Sequence, residues 1–228
     1  MLNLLAVDFD FFFPNYADNS QHPHWYLYDW IYDESISEFH KNEMWKARAR
    51  KFWENNLPLP KLVDNYLNFW ERFNFAPDCV LYYSDSNVYA AHADVVENVS
   101  CVYLFDAHHD CGYSRPFGEF LQQKSVGCGN WMLVYWLRNA TLIMRYPQWR
   151  VKAFETEPEP KIPVDRKFDC GKTIKTVFHK VALCRSGPWV PPWCDTEFWN
   201  FLDKAPIINK ICLERFMQTR KFEFDEAQ

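Results

Sequence analysis

Apolar residues fall along the chain in short dense runs. Four of them, LNLLAVDFD (2–10), CVLYYSD (79–85), SCVYLFDAHHD (100–110) and HKVALCRS (179–186), are apolar at both odd and even positions. A strand with one wet face alternates, whereas a strand apolar on both sides belongs in a parallel sheet with helices over each face. Between these runs the pattern takes the helical period. DWIYDESISEFHKNEMWKARARKFWENN (29–56) is amphipathic and stops before Pro58, and PKLVDNYLNFWERFNF (60–75) opens on a proline suited to a first turn. SNVYAAHADVVEN (86–98) repeats apolar residues at helical spacing, and NWMLVYWLRNA (130–140) reads as a mostly buried helix. The alternation predicts an α/β fold with a mainly parallel sheet, and 228 residues suit one domain spanning 1–228. FETEPEPKIPVDRK (154–167), rich in proline and charge, reads as a surface loop.

Two of the strands finish in acids. The first delivers Asp8 and Asp10, and the second delivers Asp106, His108 and Asp110. On an extended strand, positions i, i+2 and i+4 share a side. Like charges crowded on one side repel unless a cation lies between them. Ligands of parallel α/β sheets gather beyond the carboxyl ends of the strands, so adjacency of these two strands would bring four carboxylates and one imidazole together. A single acid at a strand end is ordinarily a turn former; five ligand-type residues at this spacing point to a metal site. Oxygen-rich donors with one imidazole suit Mn²⁺ or Mg²⁺ better than zinc. Five donors suggest two ions about 3.5–4 Å apart, which would acidify a shared water and drive hydrolysis.

DAHHD (106–110) resembles the D-A-H-x-D motif of the ureohydrolase superfamily, which holds arginases, agmatinases and, more distantly, histone-deacetylase-like enzymes. DFDFFFP (8–14) is similar to the D-x-D portion of that superfamily's S-x-D-x-D-x-x-D-P motif, and VGCGNWM (126–132) faintly resembles its G-N-x-H stretch. The motif order is rearranged, because D-x-D here opens the chain. That order, with the GNWM tryptophan and CRSGPWVPPW (184–193), resembles a divergent branch that includes peptide arginases. Members of that branch convert arginine side chains in ribosomal precursor peptides to ornithine and release urea.

The resemblance implies a three-layer arginase-like fold, two Mn²⁺ ions and a cytoplasmic enzyme acting on an arginine-containing precursor peptide. It assigns Asp8 and Asp106 as bridging carboxylates, Asp10 and His108 to one metal shell, and Asp110 to the other. Asp110 would also hold the bridging hydroxide and pass its proton to the departing amine. The superfamily's G-G-D-H-S histidine has no counterpart in YSDSNVY (83–89), where Ser86 or Asn87 stands. Asn87, through its amide oxygen, is the candidate ligand there; Ser86 and His92 are the alternatives, and His92 also reads as a packed helix residue. Met132 replaces a proton-shuttling histidine, and Asn130 of the same stretch is the substrate-binding candidate. His109, on the other side of the strand, reads as a supporting or core residue. Glu34, Glu38, Asp85 and Glu155 are among the acids that could grip a guanidinium.

Composition narrows the alternatives. A net charge of −5 disfavours a nucleic-acid backbone as partner. No stretch approaches the roughly 18 apolar residues of a membrane helix. The acid-interrupted N-terminus MLNLLAVDFDFFF has no basic flank and is not a signal peptide. Eight cysteines without a C-x-x-C pair read as reduced thiols of a cytosolic protein. The 19% aromatic share fits a bulky core or a ring-lined groove. GKT (171–173) is no phosphate loop, since the earlier glycine that motif requires would fall at Arg166. A haloacid-dehalogenase-type phosphatase using LLAVDFD leaves DAHHD without a task, and a non-catalytic binding protein with a degenerate metal site is the other alternative.

Overall fold

The structure, a computed structural model, describes residues 1–14, 38–113, 125–215 and 217–222. The first part of the helix expected over 29–56, with Glu34 in it, lies outside these residues. The described chain forms a seven-stranded sheet: β1 (Leu2–Asp8), β2 (Asn74–Ser84), β3 (Val99–Phe105), β4 (Thr141–Tyr146), β5 (Asp165–Phe168), β6 (Val177–Cys184) and β7 (Asn209–Cys212). All neighbours are parallel, in the order β5-β4-β3-β1-β6-β2-β7. The α/β class and parallel sheet expected from the double-sided apolar runs are therefore present.

Both faces are covered, as those runs require. On β1, Leu5 and Val7 enter one apolar cluster while Leu4 and Ala6 enter the other. The first cluster takes Trp45 and Phe52 from helix α1 (Glu38–Glu54), and Phe69 and Trp70 from a 3₁₀ segment at Tyr66–Arg72. The second takes Val95 and Val96 from helix α2 (Ala93–Val96), and Met132, Leu133 and Tyr135 from helix α3 (Met132–Trp136). A short helix α4 (Ala153–Thr156) adds Ala153 to the second cluster. Helix α5 (Asp195–Lys204) adds Phe198, Phe201 and Leu202 to the first.

Several elements differ from the sequence expectation, each for a local reason. The helix expected over 60–75 is only the 3₁₀ segment, entered through Asn65 in the left-handed region (φ 68°). The helix expected over 86–98 splits into a 3₁₀ turn (Asn87–Ala91) and α2, because Ser86 and His92 each cap the piece that follows. The helix expected over 130–140 shrinks to α3, and the chain turns at Asn139 (φ 61°). The stretch 154–167 is not simply a loop: it begins within α4 and ends in edge strand β5. Strands β4, β5 and β7 are too short for their periodicity to be read.

Topology places the crevice. From β1 the chain runs through α1, on one face, to β2; from β3 it runs through α3, on the other face, to β4. Departures in opposite directions from neighbouring strands leave an opening at their carboxyl ends, where α/β ligand sites form. Register keeps those ends level, with Val7 opposite Phe105 and Asp8 and Ser84 both opposite Cys184.

Phe201 is fully buried, stacks on Trp70 at 4.5 Å and meets Phe9, Phe12 and Phe69. Phe201→Ala is expected to cost about 3–5 kcal/mol, read as a lower denaturant midpoint at unchanged slope.

Candidate metal centre

The acids converge, but not as alternate residues of extended strands. β1 ends at Asp8, whose Oδ1 accepts the Asp10 N–H at 3.2 Å and caps a 3₁₀ turn over Phe9–Phe12. That turn, rather than the pleat, swings Asp10 toward β3. β3 ends at Phe105, and Asp106, His108 and Asp110 lie on the irregular loop beyond it. Asp110 adopts φ 51°, a left-handed conformation that aspartate tolerates better than most residues. Strand periodicity failed here because side chains take over the backbone hydrogen bonds as soon as the ladder stops.

Asp10, Asp106 and His108 each bring a donor atom within 4.8 Å of the others, a group that could hold a metal ion. His108 Nδ1 lies 3.1 Å from Asp10 Oδ2 and 3.6 Å from Asp106 Oδ1. Asp10 Oδ1 accepts the Ala107 N–H at 3.2 Å, and Asp106 Oδ1 accepts the His108 N–H at 2.7 Å. Asp106 Oδ2 is buried and has no hydrogen-bond partner among the described residues. A buried, unpaired carboxylate oxygen carries a desolvation penalty that a cation would remove. The donor chemistry and this orphaned oxygen both fit a divalent ion.

Asp8 and Asp110 complete the acid cluster. Asn87 Nδ2 donates to Asp8 Oδ2 at 3.1 Å and to Asp110 Oδ2 at 2.6 Å, and the fully buried Trp131 indole N–H donates to Asp110 Oδ2 at 2.7 Å. The four carboxylates are 0–3% exposed. Burial first, then the neighbouring charges of Asp10 and Asp110, push the Asp8 carboxyl well above its usual range. Burial and the charges of Asp10, Asp110 and Asp8 do the same to Asp106.

The other named residues fall in different places. Asn87 presents its amide nitrogen to the acids, so it bridges Asp8 and Asp110 as a hydrogen-bond donor in this arrangement. Ser86 caps the turn and lies 2.9 Å from Cys128 Sγ. His92 is exposed and caps α2. Asn130 spends its amide inside its own turn, accepting from the Gly127 N–H and donating to the Ser125 carbonyl. Met132 is fully buried in the second core cluster. His109 is fully buried; its Nδ1 accepts the Cys111 N–H and its Nε2 pairs with the Pro158 carbonyl, each at 2.9 Å. Burial lowers its pKa, while the neighbouring Glu157 charge acts in the opposite sense. Glu155 is exposed, and the Glu38 side chain lies outside the description.

A cavity of about 280 Å³ lies against the cluster, lined by Asp8, His108 and Asp110 together with Lys41, Asp85 and Trp189. Asp85 is not an unengaged acid. Lys41 Nζ donates to it at 3.1 Å and Arg185 Nε at 2.6 Å. Burial alone would raise its carboxyl, but Arg185, Lys41 and Arg220 outweigh that and hold it well below the usual range. The chain of charges continues from Arg185 to Asp195 and on to Arg220, whose Nη1 donates to the Gly187 carbonyl. Gly187 passes so close that a Cβ there would sit 2.7 Å from both Asp85 oxygens. This network fixes the segment carrying Ser186 (φ 58°) and Trp189, whose ring packs on His108 at 4.8 Å. The sequence singled out CRSGPWVPPW, which holds Arg185, Gly187 and Trp189, only for its resemblance and not for this network. Lys41 gave no signal, because nothing local marks a helix lysine as a cavity residue.

Among the described residues, which include all eight cysteines, no disulfide joins two of them. Among the described residues no helix is long and apolar enough to cross a membrane. Comparison with protein families, with curated proteins and with solved structures finds no match for this chain.

Asp106→Asn is expected to remove most bound divalent metal while exposed Asp203→Asn leaves it unchanged, as elemental analysis of the purified proteins would show. Protons compete with a cation for Asp8 and Asp106, whose folded-state pKa values are raised. Metal affinity therefore rises as pH climbs through those values. The melting-temperature gain on adding Mn²⁺ is expected to be larger at pH 7.5 than at pH 5.

Proposed function

We propose that this chain is an arginase-like metal-dependent hydrolase that converts arginine side chains in a precursor peptide to ornithine, releasing urea. One observation carries the reading: acid motifs about a hundred residues apart meet beside a cavity around a buried, unpaired Asp106 oxygen. The resemblance of DAHHD and DFDFFFP to ureohydrolase motifs supplies the reaction, and the rearranged motif order supplies the peptide substrate.

Asp10, Asp106 and His108, with Asp8 and Asp110 beside them, would hold divalent cations, and manganese suits this oxygen-rich set. When bound, such ions supply Lewis acidity and an acidified water. The chain's own groups orient and move protons. Trp189 and Tyr113 line the cavity and offer ring faces to a planar guanidinium. Trp131 and Asn87 fix the Asp110 carboxylate. Asp110 takes the proton released as the water oxygen adds to the guanidinium carbon. It returns the proton to the side-chain nitrogen as the carbon–nitrogen bond breaks. Ornithine and urea balance the arginine and water consumed.

Asn87 favours a second reading. Its amide already donates to Asp8 and Asp110, leaving the Asp10–Asp106–His108 group as the one with ligand spacing among the described residues. A one-ion, non-catalytic binding protein would look like this. The phosphatase alternative is less well supported, since Asp10 is tied to Ala107 and His108.

Incubation with Mn²⁺ and an arginine-containing peptide separates the readings. Urea release is expected, falling about 10²–10⁴-fold in Asp110→Asn. One bound ion per chain with no urea from any arginine compound would establish the binding protein instead, and phosphate release from a phosphomonoester would establish the phosphatase.

A further inference from the structure

Beyond Phe105 the chain leaves the sheet, and each backbone N–H from Ala107 to Cys111 is taken by a side chain. Ala107 donates to Asp10, His108 to Asp106, His109 to Glu157, Asp110 to Tyr113 and Cys111 to His109. The shape of the ligand-bearing loop is therefore set by side chains. Of these acceptors, Asp10 and Glu157 come from other parts of the fold. Asp10 belongs to the cluster itself. Glu157 does not.

Glu157 ends α4, inside a stretch whose composition reads as surface, yet it is only 6% exposed. Its Oε1 accepts the His109 N–H at 2.9 Å and the Tyr113 hydroxyl at 2.7 Å, and the Tyr113 oxygen accepts the Asp110 N–H at 3.0 Å. Its Oε2 accepts the hydroxyl of Tyr146, the last residue of β4, which anchors the carboxylate to the sheet. Arg150 Nη1 lies 3.8 Å away. Burial would raise the Glu157 carboxyl, but His109 and Arg150 reverse this and lower it, so it stays an anion able to accept all these bonds. Tyr113 also stacks on His109 at 4.5 Å and 20°, and lines the cavity.

We propose that Glu157 is the positioning residue of the metal centre. Through the His109 N–H and Tyr113 it holds the left-handed turn at Asp110, and so sets where His108 and Asp110 point. This rests on the metal-binding reading. Supporting partners one bond removed from metal ligands typically govern affinity by about 10–100-fold.

The test is Mn²⁺ titration of the intact chain by calorimetry, with melting temperatures of the metal-free proteins alongside. Glu157→Ala should weaken Mn²⁺ binding about 10–100-fold. Glu157→Gln keeps an oxygen acceptor at the same place and should stay nearer wild type than to Glu157→Ala. Tyr113→Phe keeps the ring and removes the hydroxyl that joins Glu157 to the Asp110 N–H. It should weaken binding about tenfold with little change in metal-free melting temperature. A purely packing role would lower melting temperature and leave affinity alone. Should Glu157→Ala fail to fold, Tyr113→Phe decides by itself. Wild-type affinity in the folded variants overturns the proposal while leaving the metal reading intact. No Mn²⁺ binding by wild type overturns both.

Discussion

Four carboxylates buried at one point repel one another, and the architecture around them manages that repulsion. Neither Asp8 nor Asp106 gains from losing water, and each raises the cost of ionising the other. Donors offset part of this: the Asn87 amide between Asp8 and Asp110, the Trp131 indole on Asp110, and backbone N–H groups on Asp10 and Asp106. Asp106 Oδ2 is left over. Such a cluster needs a rigid frame, because small relaxations would let the acids separate and reach water. The central strands of a parallel sheet, packed on both faces, supply it.

Charge is handled differently in the network that reaches the cavity through Lys41 and Asp85. There Lys41, Asp85, Arg185, Asp195 and Arg220 alternate in sign, and Arg185 and Asp195 each link two oppositely charged side chains. Buried ion pairs contribute little net stability once desolvation is counted, while loss of one member strands the other. The specificity of the arrangement is what the site uses. It ties α1, the ends of β2 and β6, α5 and the C-terminal segment to one segment, and that segment places Trp189 against His108. An acid cluster thus lies near a network whose charges alternate in sign.

The aromatic abundance divides between two tasks. Most of the described rings build the first core cluster, where Phe9, Phe12, Phe69, Trp70 and Phe201 meet in edge and tilted contacts. Those contacts pin the 3₁₀ turn that carries Asp10, since Phe9, Phe11 and Phe12 are all buried in it. A few rings, Trp189 and Tyr113 among them, line the cavity. Core packing and site geometry are coupled through the same four residues, 9–12.

Local sequence settled the chemistry on offer and the kind of frame holding it. Runs apolar on both faces demand a covered parallel sheet. D-x-D and D-A-H-H-D at strand ends demand something positive, whatever the topology. Tertiary structure decided the remainder. Whether β1 and β3 are neighbours depends on strand pairing across nearly a hundred residues, to which a period of two is blind. The acids reach each other through a 3₁₀ turn and a side-chain-held loop, because backbone N–H groups donate to Asp8, Asp10 and Glu157 in place of the ladder. Glu157, Lys41 and Asp195 carry no mark in their own segments. Their roles come from groups that only the folded chain brings near, and for that reason the acid motifs could be read from the sequence while the residues supporting them could not.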